Sequence, residues 1–487
     1  MPVDSQHPEY SKNRKIWQMV RDCDDGPSAV KRRSSGGDGS HTLNGLPGTA
    51  YLPAPNASDA SSENKERYIA YLTRAIFSNF TAATKEGILG LVFRKETQIK
   101  TSAKLEYLID NANGAGLSTD QMIKDVAGDA LAIGRHGLLV DYPSAARGLT
   151  AQQVASLNLR ANILSYPAES VINWRTETIG GVTKLTMVVL REPTEKMVDE
   201  FESKEVMFHR VLLLAGGMYM QNLYDDDGNL VTYKADDGET ITGDIVPRKS
   251  DGSTWNEIPF VFVGSTNNDV SVDKAPLYDI AEINIGHYRN SADYEESSFL
   301  VGQPTPVLSG LTASWVKEVY KDKGIALGAR SPIFLPDGGS ADLLQANANS
   351  QPMEGMTHKE ELLIKVGARI ITDTAGTETK DAAKMRYAGQ NSKAGSVIIN
   401  VESAFEQCYA WAGLFMGVDE ESEININKEF YDATIDPQMI IAAIQLMDRG
   451  VWAKSDLQNF TRKGGLIEST RTNEDIDSEA EETDPTL

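Results

Sequence analysis

The chain reads as a multidomain α+β protein with a mixed α/β body followed by long helices. Three observations predict this. Between residues 160 and 264, apolar runs alternate with glycine-bearing turns, as in an antiparallel β region. Residues 258–310 (IPFVFVGSTNNDVSVDKAPLYDIAEINIGHYRNSADYEESSFLVGQPTPVLSG) pass from a short buried strand through a polar loop into a helix and a Pro/Gly break. From residue 353 onward, apolar residues recur mostly at helical spacing.

The N-terminal elements follow from local pattern. Residues 10–21 make a short helix with Ile16, Trp17 and Val20 inward. Residues 32–62 are rich in Gly, Ser, Pro and Asn and read as a long extended loop. Tyr68, Tyr71, Leu72, Ala75, Ile76 and Phe80 then mark an amphipathic helix from Glu63, running toward Phe93 through a second short element. Ser118 is an N-cap for a helix with Met122, Val126, Ala130 and Ile133 inward, stopped at Gly134. A buried strand from Gly137 closes at Pro143. In the β region, Gly180-Gly181, Gly216-Gly217, Asp227-Gly228 and Asp237-Gly238 are hairpin signals between strands at 182–192, 204–214 and 218–223.

The helix after Pro276 carries a narrow stripe of Leu277, Ile280, Ala281, Asn284, Tyr288 and Ala292. Beyond Tyr288 it is polar almost all round, so its stripe is expected to find partners on other copies of the chain. A compact module follows, with a short helix at 311–320 and strands at 324–328 and 332–336. A second helix spans 353–372, with Leu362, Leu363, Val366, Ile370 and Ile371 on one side, and a third and longer one runs from Glu378 to Gly417. A short strand at 423–428, a helix from Asp436 to Arg449 and another from Ser455 to Arg462 precede a disordered acidic tail over 468–487.

Bulk properties narrow the function. The 487 residues carry a net charge of −23, which argues against gripping DNA by phosphate neutralisation. Acidity is compatible with a surface that DNA slides past without sticking. No apolar run approaches the ~18 residues of a membrane span, and the N-terminus lacks a secretory apolar segment. The two cysteines, Cys23 and Cys408, form no C-x-x-C, and no H-E-x-x-H, phosphate-binding G-x-x-x-x-G-K-[ST] or G-x-S-x-G occurs. No catalytic, cofactor or metal residue is therefore assigned and no cofactor is expected. Asp225-Asp-Asp-Gly228 reads as a hairpin rather than a calcium loop, because the ligand pattern stops after Asn229. The adjacent Glu295 and Glu296 diverge on their helix and read as a solvated face. Lys380, Lys384, Arg386 and Lys393 make one basic stretch in an acidic chain, read either as a solvated helix face or as a ring opening that faces a polyanion.

The order of these elements resembles the portal proteins of tailed bacteriophages. The likeness rests on HPEY at 7–10, WQMVRD at 17–22, AYLP at 50–53, YLTRAIF at 71–77 and GRHGLLVDYP at 134–143. It continues with IPF at 258–260, PLYDIAEIN at 276–284, ETKDAAKMR at 378–386 and the helix end at 405–417. The resemblance implies a portal fold assembled as a ring. Its parts would be a wing (1–275), a first stem helix (276–300), a clip (301–352) and a second stem helix (353–373). A tunnel loop (374–380), a long helix with wing return (381–435), crown helices (436–467) and the acidic tail would follow. It also implies a homo-oligomer, usually of twelve subunits, at one capsid vertex of a virion assembled in the bacterial cytoplasm. Expected partners are passing double-stranded DNA, the large terminase subunit, the major capsid protein and head-tail adaptor proteins, with no membrane. Thr374, Gly376, Thr377, Lys380, Lys384 and Arg386 are the DNA-channel candidates, and Leu277, Ile280, Tyr288, Leu363, Val366 and Ile370 the candidates for packing between copies. A tail-tube or adaptor component is the alternative, and a cell-wall hydrolase a more distant one.

Overall fold

A computed structural model describes residues 2–36, 43–142, 159–234, 240–302, 305–321, 333–344, 349–371, 392–428, 444–447, 449–463, 467 and 471–483. Helix α1 (Pro8–Asp25) starts on a cap in which His7 Nδ1 accepts the Glu9 amide at 3.2 Å, with Pro8 in the first turn. It is followed by α2 (Pro27–Arg32), α3 (Ser62–Arg74) and α4 (Phe80–Val92). The single helix expected from Glu63 is thus two. The chain leaves helical geometry after Arg74, and Asn79 caps the second piece by accepting the Ala82 amide at 3.0 Å. The Gly/Ser-rich stretch before α3 is more than a spacer, because Leu43, Tyr51 and Leu52 are buried in the core.

Strand β1 (Gln98–Lys100) and the short helix α5 (Tyr107–Asp110) lead to α6 (Thr119–Ile133), capped by Ser118 and closed by Gly134 in left-handed geometry. Next come β2 (Arg135–Asp141), β3 (Asn162–Pro167), β4 (Val171–Ile179), β5 (Val182–Met197), β6 (Ser203–Ala215) and β7 (Met218–Tyr224). Strands β4 to β7 form an antiparallel meander whose first and third connections are the Gly180-Gly181 and Gly216-Gly217 turns. Two short strands, β8 (Thr232–Lys234) and β9 (Thr240–Thr242), pair with each other; the Asp237-Gly238 turn between them lies outside the described residues. Strand β10 (Phe260–Gly264) adds to β2, giving the antiparallel order β10-β2-β3.

Helix α7 (Tyr278–Gly302) follows, with Pro276 just outside it. Strand β11 (Thr305–Ser309), α8 (Ala313–Tyr320) and β12 (Ser340–Leu344) make the module that leads to α9 (Gln351–Ile371). Neither β11 nor β12 was anticipated. Pro306 disguised β11, yet in a two-stranded ribbon it has an outer edge where no amide is needed. The strand expected at 332–336 is irregular where described, from Ile333 to Pro336.

Helix α10 (Lys393–Met416) packs against α6, β2 and β10 and fills the centre with Val397, Ile398, Val401, Phe405, Cys408 and Tyr409. It does not run unbroken from Glu378. Ser392 is extended and caps the helix by accepting the Gly395 amide at 3.0 Å. Strand β13 (Glu423–Asn425) pairs with β1. Helix α11 (Lys454–Lys463) matches expectation, whereas most of the helix expected from Asp436 lies outside the described residues.

The acidic tail contains α12 (Asn473–Thr483) where disorder was expected. Thr472 and Asp475 cap it reciprocally, and Lys454 pairs with Asp477 at 2.9 Å, tying it to α11. Local capping and one ion pair thus order a segment that composition alone would leave unfolded.

Polar contacts join the body's layers. Arg21 of α1 binds Asp129 of α6 at 2.5 Å and Glu169 at 2.9 Å. His136 of β2 sits between Asp129 and Ser165, at 2.9 and 2.7 Å. Burial opposes the charge on Asp129, but His136 and Arg21 outweigh it and hold the carboxyl well below the usual carboxylate range. Because folding lowers this pKa, ionised Asp129 adds stability above the unfolded-state value of about 3.9, and that stability is lost as pH falls through the folded value. We predict that Asp129→Asn costs about 1.5–3 kcal/mol at neutral pH. Urea unfolding should show the gap to wild type narrowing below about pH 3.9; an equal gap in acid would contradict the network.

Candidate interaction site: a two-helix stalk and its tip

The stalk starts where β10 hands over to α7. The intervening loop is pinned by Arg135, whose Nη1 donates to the carbonyls of Val270 and Ser271 at 3.3 and 2.9 Å. The guanidinium lies between the Trp174 and Phe262 rings, 4.3 and 3.8 Å from their centroids, and burial pushes its pKa down to about 9. Gly134 lets the loop approach: its φ is +77°, and a Cβ there would stand 2.8 Å from the Lys274 carbonyl.

The root of α7 is covered by the chain's own body. Leu277, Ile280, Ala281, Tyr288 and Ala292 are fully buried, in contact with a core that includes residues of α1, α3 and α4. Phe77 meets Tyr288 edge to face at 5.7 Å. Asn284, which the apolar stripe seemed to tolerate, is the polar centre of this contact. Its Oδ1 accepts the Phe80 and Thr81 amides and the Thr81 hydroxyl, each at 3.1 Å, while its Nδ2 donates to Ser78 O at 2.8 Å. One side chain of the stalk therefore satisfies the first amides of α4.

Helix α9 returns antiparallel along α7. Leu363 and Ile370 are buried and Val366 is half-buried. The six residues expected to pack between copies (Leu277, Ile280, Tyr288, Leu363, Val366 and Ile370) thus find cover within one chain. Periodicity reported the stripe but not which surface it meets. The polar face also has local partners. Tyr71 donates to Asp293 at 2.7 Å, Arg74 pairs with Glu296, and Arg289 donates to Tyr51 O at 2.7 Å. Glu296 is therefore half-buried and paired rather than part of a solvated face. Between the helices, Lys359 reaches Asn290 at 3.2 Å and His287 meets Glu360 at 3.1 Å. At Gly355 a Cβ would fall 2.2 Å from the Asn290 amide nitrogen, so a larger residue there would displace the Asn290 side chain.

Cover runs out toward the tip. Phe299 and Leu300 at the end of α7 are exposed, as is Met353 at the start of α9. Strands β11 and β12 pair from Thr305↔Leu344 to Ser309↔Ser340, and Thr312 caps α8. Tyr320 ties the return segment down by hydrogen bonds to Phe334 O and N at 3.0 and 3.2 Å. None of the described residues from 303 to 350 is buried. Phe334, Leu343 and Leu344 are each 60–68% exposed.

The channel candidates Thr374, Gly376, Thr377, Lys380, Lys384 and Arg386 lie outside the described residues. Among the described residues, no group of three or more His, Cys, Asp and Glu could hold a metal, and no helix is long and apolar enough to cross a membrane. Cys23 and Cys408 are buried and unpaired, and burial pushes the Cys23 thiol up to about 12. Asp225 accepts the Asn229 amide at 2.7 Å, the hairpin turn its sequence suggested.

If Asn284 holds the stalk to the body, Asn284→Leu should remove about 1–3 kcal/mol of stability by orphaning the buried Thr81 amide. Hydrogen exchange should speed up first at Thr81, since Phe80 keeps Ser78 O as an acceptor. Unchanged protection there would contradict the assignment.

Residues 276–416 match the family model described as "Domain of unknown function (DUF4055)". No curated protein matches the chain. Among solved structures, the chain is similar to one described as "Neck of empty GTA particle computed with C6 symmetry", at 12% identity and a TM-score of 0.38 over 80% of this chain and 92% of that one. The family match begins just before α7 and ends on the last residue of α10, so it takes in the stalk, its tip and the central helix.

Proposed function

We propose that the chain is the portal protein of a tailed bacteriophage, a non-enzymatic subunit whose copies close into a ring at one capsid vertex. Duplex DNA would enter and leave through the bore. The observation that carries this reading is the tip, none of whose described residues is buried. Ordering each tip residue costs roughly 1–2 kcal/mol of backbone entropy. Burial of apolar side chains is the main offset, and one copy buries none of the described tip residues. A two-stranded ribbon with a short helix is marginal alone in water. Neighbouring copies would supply the missing cover, with tips side by side around an axis and the buried stalk roots holding them at constant height.

Charge supports the passage role. With a net charge of −23, the ring would not trap DNA by counterion release. Lys384 and Arg386 are the cations we assign to sparse contacts in the bore, with the segment from Thr374 to Lys380 as the loop beside them. The large terminase subunit, the major capsid protein and head-tail adaptors are the assigned partners by family resemblance, as are the count of twelve copies and the virion location. A tail-tube or adaptor role accounts less well for a chain of 487 residues built around a stalk with a module at its end.

Replacing residues 305–344 with a three-residue Gly-Ser-Gly turn tests the reading. Thr305 and Leu344 are cross-strand partners, so a short turn can span the gap. The shortened chain should keep a cooperative thermal transition, because the tip contributes nothing to the described core. It should sediment as a monomer at concentrations where the full chain forms a large closed oligomer. An oligomer of unchanged size would remove the tip from the account. In assembled heads, Lys384→Ala combined with Arg386→Ala should alter DNA retention; unchanged packaging and retention would count against those two residues.

A further inference from the structure

The β5–β6 hairpin outgrows its sheet. Strand β4 pairs with β5 only as far as Leu190, and β7 pairs with β6 only back to His209. The pairs from Glu192↔Phe208 to Met197↔Ser203 therefore stand as a free two-stranded arm, about 20 Å long at ~3.3 Å per residue. Its tip is ordered: Asp199 Oδ1 accepts the amides of Phe201 and Glu202 at 2.8 and 2.9 Å. That turn holds Phe201 92% exposed, beside Met197 and Val198 at 64% and 60%. Around this apolar knob, residues 195–205 carry five carboxylates against two lysines.

The matching hollow lies at the stalk root. A groove of about 420 Å³ is lined by Met19, Tyr51, Ile283, Leu362, Arg289 and Lys359 together with one carboxylate, Glu282. It falls within the ~300–1,000 Å³ range of pockets that enclose a sizeable group. Arg289 and Lys359 bond only to neutral oxygens, the carbonyls of Tyr51 and Gly355 and the side-chain amide of Asn290, and neither has a carboxylate partner among the described residues. An acidic apolar knob and an apolar groove whose two cations outnumber its one carboxylate, neither of them ion-paired, are complementary in both polarity and charge.

We propose that the arm of one copy inserts Phe201 into the stalk-root groove of the next copy. Knob and groove are different surfaces of one chain, so the contact is heterologous and repeats by rotation until a ring closes. The inference rests on the ring reading above and gives that ring a second contact, far in sequence from the tip.

Phe201→Cys combined with Leu362→Cys tests it in the full-length protein, whose two native thiols are buried. Mild oxidation should give a ladder of disulfide-linked multimers on a non-reducing gel, absent from either single variant. Phe201→Ala alone, at an exposed site that cannot unfold the body, should raise the concentration at half-assembly about tenfold. Sedimentation of the double variant separates two failures. A ring without a ladder overturns the arm contact and leaves the ring; a monomer without a ladder overturns both. A monomer linked to itself, or an oxidised link from Phe201→Cys to another virion protein in assembled particles, also overturns the proposal.

Discussion

The side chain of Asn284 fixes where the stalk leaves the body. It is fully buried and meets amides that α4 cannot satisfy by itself, so α4 and α7 are set together. Around it, Tyr288, Ile280 and Ala281 close the apolar contact, and the Tyr71–Asp293 and Arg74–Glu296 pairs extend it. A buried polar group with its partners in place rigidifies its surroundings, because any shift strands amides away from water. The stalk is therefore a stiff extension of the body. What it carries at its far end is held out into solvent.

That mechanical consequence explains the contrast along α7. Its root is packed as in any globular core, while its end and the module beyond have almost no cover. Leu343, Leu344 and Phe334 are thus held exposed on a stiff support, and they are the apolar surface that the proposed ring would cover. Positive charge is distributed in a similar sense. Arg21, Arg135 and Arg210 all face inward, paired with carboxylates or laid between aromatic rings. The net charge of −23 is therefore carried mainly by groups outside these pairs, as the proposed passage for a polyanion requires.

Much of the local structure was legible in sequence. Ser118 and Gly134 bounded α6, the paired glycines marked the meander turns, and the stripe from Leu277 to Ala292 announced α7. The failures have physical causes. Helical periodicity persists across Ala75 to Asn79, so the break there depends on Asn284, more than 200 residues away in sequence. The tail helix depends on a Thr472–Asp475 cap and a lysine on α11, which composition does not weigh. Strand β11 was hidden by a proline that a ribbon edge tolerates. Most consequential was the stripe itself. Spacing identifies an apolar face but carries no information on whether its cover comes from the same chain or another, and here the same chain supplies it. The uncovered surfaces lie instead at the tip, where five-residue strands give only weak sequence signals, and on the β5–β6 arm, whose strands outrun their sheet in a way that alternation alone does not report.

The central claim is that the bare tip is completed by neighbouring copies around a common axis. Single-particle cryo-electron microscopy of the purified full-length protein addresses it most directly. The account predicts a closed ring with a central opening, in which β11, β12 and α8 of each copy pack against those of the next. A particle that stays a monomer at every concentration, with Leu343 and Leu344 still facing solvent, would contradict it.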